Sequence, residues 1–366
     1  MISYAEMDSK GNISVKTREP PILENGAIVL ETIYSELCGT DVHLRHNKLL
    51  GVPYPIIPGH VSIGKVIEKQ GKVKDIQGNL IEEGTIATFL DVHETCNHCY
   101  YCLVAKASTR CPKRKVYGIT YSSADGLLGG WSEKIYLKPG VKILPLPRNF
   151  DPRTYIAGGC ALPTAIHAIE RANIPLGATV LVQGSGPVGL MVALLAKIKG
   201  AYEVIMTGAP DFRLEIAKSF GVNTTIDITK LPLSDRLQII SELTDKQGPD
   251  ITIEASGNPL AVSEGLKITR EAGTMVVVGQ YTDNGEIQFN PHSDLNKKHL
   301  NLLGSWGSDF SHFYLAIKTL IKYEKDYPWQ SIISKEYGLN NLNQALNELE
   351  TLQIMKGIVN PHMKNN

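Results

Sequence analysis

The sequence lacks an excess of charge of either sign. Its 366 residues include 37 Lys and Arg and 37 Asp and Glu, so the formal net charge is zero. Proteins that bind nucleic acid usually carry an excess of basic residues, and strongly acidic tails are typical of disordered, solvent-exposed segments. The balanced charge therefore argues against nucleic acid as a partner.

The sequence also lacks a long apolar run. The most apolar stretch, residues 188–198, is shorter than the roughly 20 apolar residues that a membrane helix needs. The first twelve residues show neither the basic segment nor the apolar core of a signal peptide. These absences predict a cytoplasmic protein with no membrane partner.

Cysteine is scarce, with six residues, but its placement is ordered. Cys96, Cys99, Cys102 and Cys111 lie within sixteen residues. In a reducing compartment, clustered cysteines are more often metal ligands than disulfides. Because four thiolates complete a tetrahedral zinc site and leave no open position, the cluster predicts a structural zinc lobe at about 93–113.

The chain changes character near residue 155. Before it, short apolar or alternating runs separated by Gly and Pro predict a mostly β domain, with strands such as IVLETIYSEL and SEKIYL. From 156 to 304, apolar strands alternate with helical segments, as in TVLVQG followed by a helix from Pro187 to Gly200. This alternation predicts an α/β domain with a parallel sheet.

A glycine motif joins the first strand of that domain to its first helix. Gly184, Gly186 and Gly189 form a GxGxxG pattern that also contains Pro187 and Val188. Such a turn allows a pyrophosphate to approach the backbone at a helix N-terminus, which predicts a dinucleotide-binding site. The alternative is a glycine-rich turn without a ligand.

The second strand of the domain ends without the acidic residue that usually binds the adenosine ribose. The expected position falls at about Gly208, whereas Asp211 comes three residues later and Arg213 follows it. Arg213 could face a phosphate. The choice between NAD and NADP is therefore left open.

These motifs together resemble the zinc-containing medium-chain dehydrogenase/reductase family, of the alcohol and polyol dehydrogenase type. The resemblance covers nearly the whole chain. It implies a GroES-like, mostly β catalytic domain (1–155 and 305–366), a Rossmann domain with a doubly wound parallel sheet (156–304), and a homodimer or homotetramer. The motifs that carry it are the four-cysteine lobe, CGTDVH (38–43), GH (59–60), GGWSEKIYL (129–137), GCALPTAIHA (159–168), GSGPVG (184–189) and KGIVNP (356–361).

The resemblance implies a second, catalytic zinc. Its ligands would be Cys38, His60 and Cys160, with the fourth position left for water or substrate. The implied reaction is reversible hydride transfer between an alcohol, bound to zinc as the alkoxide, and NAD or NADP, which gives an aldehyde or ketone.

Further residues acquire roles from the same resemblance. Thr40 and His43 match a relay that carries the alcohol proton to solvent. Thr164 matches a residue that packs on the nicotinamide, Val278 one whose backbone meets the carboxamide, and Lys356 one that reaches the pyrophosphate. Thr164, Val278 and Lys356 could equally be ordinary packing or surface residues, whereas the CGTDVH context favours the relay role of His43 over that of a surface histidine.

The chain departs from the family pattern after His60. The family usually has an acid at the next position, where this chain has Val61. Loss of that carboxylate predicts a more positive metal that still binds through three ligands. Two alternatives are considered: a zinc-free enoyl or quinone reductase, and a non-catalytic cofactor-binding protein.

Overall fold

The computed structural model describes residues 1–363. The described chain forms two compact units. Unit 1 comprises Met1–Gly159 and the chain from Ile332 onward, and unit 2 comprises Cys160–Ser331. This division keeps residues 305–331 with unit 2. Within residues 1–363, no helix combines the length and apolarity needed to cross a membrane.

Seventeen strands are found in the described part of the chain. In chain order they are β1 Ile2–Met7, β2 Ile13–Arg18, β3 Ile28–Leu37, β4 Ser62–Lys69, β5 Ile86–Phe89, β6 Val92–Glu94, β7 Lys115–Val116, β8 Lys134–Leu137, β9 Ile143–Pro145, β10 Thr179–Gln183, β11 Glu203–Gly208, β12 Thr224–Asp227, β13 Ile251–Glu254, β14 Thr274–Val277, β15 Asn301–Gly304, β16 Ile333–Tyr337 and β17 Lys356–Val359.

The same residues 1–363 contain ten α-helices. They are α1 Gly39–Arg45, α2 Tyr100–Leu103, α3 Pro152–Gly158, α4 Ala161–Ala172, α5 Pro187–Ile198, α6 Asp211–Ser219, α7 Leu233–Leu243, α8 Pro259–Ile268, α9 Phe310–Lys322 and α10 Leu342–Glu350. Short 3₁₀ turns and one π turn, Pro291–Asn296, complete the regular structure.

Unit 1 is built on a seven-stranded sheet. Its strand order is β16-β17-β3-β4-β5-β9, and β8 also pairs with β3. The long strand β3 is buried or half-buried along its whole length. Strands β4, β8 and β17 all pair with it. The core of unit 1 includes Trp131 and Tyr117, both fully buried. The predicted mostly β domain is thereby confirmed.

Unit 2 is built on a six-stranded parallel sheet in the order β12-β11-β10-β13-β14-β15. The chain runs outward from β10 in one direction and then returns to add β13 on its other side. This reversal is the doubly wound arrangement, in which ligands bind beyond the carboxyl ends of the strands where the order switches. The predicted parallel sheet with crossover helices is confirmed.

Candidate functional site

The four lobe cysteines converge in unit 1. Their sulfur atoms lie within 4.8 Å of one another, and the Sγ atoms of Cys99 and Cys102 are 3.6 Å apart. The backbone N–H of Cys96 donates to the Cys111 Sγ at 3.3 Å. Four thiolates at these separations match the tetrahedral ligand set of a structural zinc.

The environment of the lobe thiols favours a bound cation. A hydrogen bond from the backbone N–H of His98 lowers the pKa of Cys96. Burial and the neighbouring thiols raise the pKa of Cys102. Because thiolates this close raise one another's pKa, a divalent cation is needed for all four to ionise. The donor set therefore fits zinc.

A second donor group contains Cys38, His60 and Cys160. One ligand atom from each, together with a carboxylate oxygen of Glu36, lies within 4.8 Å of the others. Cys38, His60 and Glu36 belong to unit 1, and Cys160 is the first residue of unit 2, directly after Gly159, where the first segment of unit 1 ends. Two thiolates, an imidazole and a carboxylate are all zinc ligands, so this set also fits the metal.

Glu36 was not recognised from the sequence. The family pattern drew attention only to the acid missing at Val61, whereas the structure places the carboxylate of Glu36 in the donor group. A signal was present: Glu36 is an acid inside the apolar strand β3 and lies two residues before Cys38. Because alternate residues of a strand share a face, an acid at this spacing points to the same side as the cysteine.

Asp41 supports the start of α1 beside this group. The Cys38 backbone N–H donates to the Asp41 Oδ2 at 2.9 Å, which links Asp41 to the residue that caps the helix. Asp41 is fully buried, and this burial raises its pKa to about 6, although the charge of nearby His60 opposes the shift. A buried carboxylate near a metal-binding histidine commonly orients the ring and increases its basicity.

Thr40 and His43 lie one turn apart on α1, which begins directly after Cys38. Residues three apart on a helix share a face, so both side chains project from the same side of α1. Each is half-buried. Burial lowers the pKa of His43, and the positive charges of Lys48 and His46 lower it further. His43 is therefore neutral near pH 7 and able to accept a proton.

In unit 2, the GxGxxG turn has the geometry of a dinucleotide site. Gly184 has φ +115°, and a Cβ there would lie 2.8 Å from the backbone of Ala255. A Cβ at Gly189 would lie 1.9 Å from the Gly184 carbonyl oxygen, whereas one at Gly186 would meet nothing within 4 Å. Pro187 and Val188 open α5 directly after this turn. The open space at Gly186 is where a pyrophosphate could approach the helix N-terminus.

The packing at the end of β11 explains why the acid expected to bind the adenosine ribose is absent from Gly208. A Cβ at Gly208 would lie 2.5 Å from the Ser185 Oγ, so this position has no room for a side chain. Asp227 pairs with Gly208 in the neighbouring strand, and a hydrogen bond from the Thr229 hydroxyl lowers the pKa of Asp227 to about 2. Arg213 is buried on α6, and burial lowers its pKa.

The remaining predicted cofactor contacts have other partners in the structure. The Thr164 hydroxyl donates to the Cys160 carbonyl at 2.8 Å. The Val278 N–H donates to the Glu254 carbonyl at 2.9 Å. Lys356 is fully buried in unit 1, where it forms an ion pair with Glu36. Their contacts with a cofactor stay predictions.

Two family models match the chain. The alcohol dehydrogenase GroES-like domain matches residues 24–148, and the zinc-binding dehydrogenase domain matches residues 187–322. The chain belongs to the zinc-binding medium-chain dehydrogenase family. The predicted resemblance is confirmed, as is the combination of a GroES-like domain with a Rossmann-type domain.

Individual relatives span nearly the whole chain. The chain is 28% identical to 5-exo-hydroxycamphor dehydrogenase of Pseudomonas putida, over 94% of this chain and 95% of that protein. It is 27% identical to sorbitol dehydrogenase of Halalkalibacterium halodurans, over 96% of each. An alcohol dehydrogenase structure from Thermotoga maritima is 29% identical, covers 99% of each chain and has a TM-score of 0.94.

Family membership and the two donor groups define the enzyme class. The protein is a zinc-dependent dehydrogenase that acts on CH–OH donors with NAD or NADP. The alternative of a zinc-free reductase is not supported, because both sets of zinc donors are present and assembled. A non-catalytic cofactor-binding protein is not supported either.

Proposed function

We propose that the protein catalyses reversible hydride transfer between an alcohol and NAD or NADP, giving an aldehyde or ketone, at Cys38, His60 and Cys160. The observation that carries the proposal is the assembly of this donor group beside Thr40 and His43. Zinc, when bound there, supplies a Lewis acid that lowers the pKa of an alcohol.

The residues of α1 would move the proton. The Thr40 hydroxyl can accept the proton of the substrate alcohol while it donates its own. His43, on the same face of the helix and neutral near pH 7, would receive that proton and pass it to solvent. The relay lets the proton leave a site in which burial keeps charge unfavourable.

Unit 2 would hold the cofactor. The open space at Gly186 would admit the pyrophosphate, and the N-terminus of α5 would favour its charge. Val278 follows β14, at the same carboxyl edge of the sheet as the glycine turn. Since a parallel sheet presents its ligands at this edge, a backbone contact from Val278 to the nicotinamide end is consistent with the topology.

The substrate proposed is an uncharged alcohol or polyol. The two reported relatives with named substrates are dehydrogenases of a hydroxycamphor and of sorbitol, and both of these compounds are uncharged alcohols. The predictions of a homodimer or homotetramer and of a cytoplasmic location stay predictions.

The experiment is a panel of primary, secondary and polyhydric alcohols, assayed with NAD and NADP by absorbance at the reduced nicotinamide band. Elemental analysis of the same untreated protein should give two zinc ions per chain. Cys38→Ser should retain only the lobe zinc and lose alcohol oxidation, whereas Cys99→Ser, the matched change in the lobe, should retain the other zinc. Absence of turnover in protein that holds two zinc ions would contradict the proposal.

A further inference from the structure

An ion pair of two fully buried side chains lies beside the second donor group. The Lys356 Nζ is 2.6 Å from the Glu36 Oε1, and neither side chain has any exposed surface. Burying two charges is costly unless each is well paired and hydrogen-bonded. The Glu36 carboxylate is also the fourth member of the donor group, so two cations compete for it when the metal is present.

The strand register explains why these groups meet. Strand β3 lies between β17 and β4, and Glu36 pairs with Ile358 on the β17 side. Lys356 is two residues before Ile358 and therefore shares its face of the sheet. On the other side, the Glu36 N–H donates to the Val61 carbonyl at 2.9 Å. The strand pairing thus brings Lys356 to the Glu36 side chain and holds the Glu36 backbone against that of Val61.

Lys356 is also anchored to the segment that leads to Cys160. Its Nζ donates to the carbonyl oxygens of Ile156 and Ala157, each at 3.1 Å, in the last turn of α3. A cation at this position satisfies carbonyls that the helix leaves without partners. Gly159, the first residue after α3, leaves space for the Glu36 carboxylate, since a Cβ at residue 159 would lie 2.4 Å from the Glu36 Oε2.

Leaving aside Asp41, which is common to all the variants considered, the charges of the complete site balance only when Glu36 and Lys356 are both present or both absent. Two thiolates and a neutral imidazole compensate the two charges of zinc, and Lys356 compensates Glu36. Without Lys356 the buried site would carry one negative charge, and zinc would be the cation left beside Glu36. Without Glu36 the site would carry one positive charge, which opposes binding of a dication.

We propose that Lys356 withholds Glu36 from the metal and so keeps the second zinc site at three protein ligands. Lys356 is in this respect a positioning residue that acts through Glu36. An open coordination position is what distinguishes a catalytic zinc from a structural one, so the ion pair maintains the position that substrate needs. The inference rests on the proposed zinc site at Cys38, His60 and Cys160.

The proposal predicts opposite effects from removing the two partners. Lys356→Met should free Glu36 to bind zinc and slow zinc release by about tenfold or more. Glu36→Gln should leave Lys356 beside the metal and accelerate release by about tenfold or more. The double variant Glu36→Gln/Lys356→Met restores the charge balance, so its release rate should return to within about threefold of the wild-type rate.

The measurement is zinc release from the full-length protein to a chromogenic chelator. The lobe zinc provides an internal reference, and Cys38→Ser and Cys99→Ser assign the two phases of release. Thermal unfolding of each variant, with and without added zinc, tests whether it folds. In Lys356→Met, zinc should raise the unfolding temperature more than in the wild type.

Equal or faster zinc release from Lys356→Met would overturn the proposal, as would failure of the double variant to reverse the change. If Lys356→Met does not fold, unchanged release from the isosteric Glu36→Gln would overturn it equally. These readouts do not depend on turnover. Absence of alcohol oxidation by the wild type would contradict the proposed function without changing the release rates.

Discussion

Gly189 packs directly on the carbonyl oxygen of Gly184, so that a Cβ at residue 189 would lie 1.9 Å from that oxygen. This contact seats the first turn of α5 on the loop that follows β10. The helix approaches the loop this closely because Gly189 has no side chain.

Gly189→Ala should therefore disturb the fold, at a cost of about 3 kcal/mol in the free energy of unfolding. Gly186→Ala is the matched control, because its Cβ would enter open space at an ordinary φ of −75°. That control should keep its stability yet bind the reduced cofactor about tenfold more weakly. Urea denaturation and cofactor fluorescence titration measure the two effects, and equal stability of both variants would contradict the packing argument.

His43→Gln should lower kcat by about 10²-fold, because the proton relay loses its acceptor. Burial holds the pKa of His43 below its ordinary 6.5, so the acceptor is neutral at pH 7 and is lost as the pH falls through that lowered pKa. The variant should lack this acidic limb of the kcat profile. His46→Gln is the control: His46 is exposed and contacts Glu350 at 2.6 Å. This variant should keep the acidic limb, moved to higher pH because the charge of His46 also lowers the pKa of His43. An unchanged profile in His43→Gln would argue against the relay.

The lobe should depend on its metal for structure. Tyr100, Leu103 and Val104 are 60–65% exposed, so α2 has little apolar core to stabilise it. Cys99→Ser should remove the lobe zinc and expose the bond after Arg110 to trypsin. Ser108→Ala, which keeps all four thiols, should be cleaved as slowly as the wild type. Rapid cleavage at this bond in zinc-loaded wild-type protein would contradict the expectation.

Glu348 should contribute stability that depends on pH. Hydrogen bonds from the Tyr337 hydroxyl and from Lys335 lower the pKa of Glu348 to about 2, from an ordinary value of 4.5. The folded state therefore holds the carboxylate ionised more strongly than the unfolded state does. Its contribution is complete above pH 4.5 and is lost as the pH falls toward 2.

Glu348→Gln should thus cost about 1–2 kcal/mol at pH 7 and progressively less below pH 4.5. Urea denaturation of chelator-treated protein separates this effect from acid release of zinc. Glu350→Gln, on the same helix, is the control and should show a smaller difference at pH 7. A Glu348→Gln difference that does not shrink in acid would show that the ion network has been misassigned.

Much of the fold could be predicted because its signals are local. Strand β3 begins and ends at the residues of the predicted run IVLETIYSEL, since a largely apolar run with flanking turn residues defines it. The predicted helix at 187–200 corresponds to α5 within two residues at each end. Turn glycines and helix caps act over a few residues, so one sequence suffices to locate them.

The candidate site was less predictable, because its members come from distant segments. Cys38 and His60 were recognised through motifs, whereas Glu36 was not, since its spacing from Cys38 is a weak signal until the alignment of β3 with β4 and β17 brings the group together. At Gly208, likewise, the space that an acidic side chain would need is occupied by Ser185, which lies on a different loop.

By itself, the sequence determined the order of strands and helices, the glycine turn and the four-thiol lobe, because spacing along the chain is enough to specify each of them. Only the tertiary structure decided that Glu36 lies between Lys356 and the second set of zinc donors. The physical reason is that strand register and burial bring these charges together, and a buried carboxylate takes its role from the cations it meets in space.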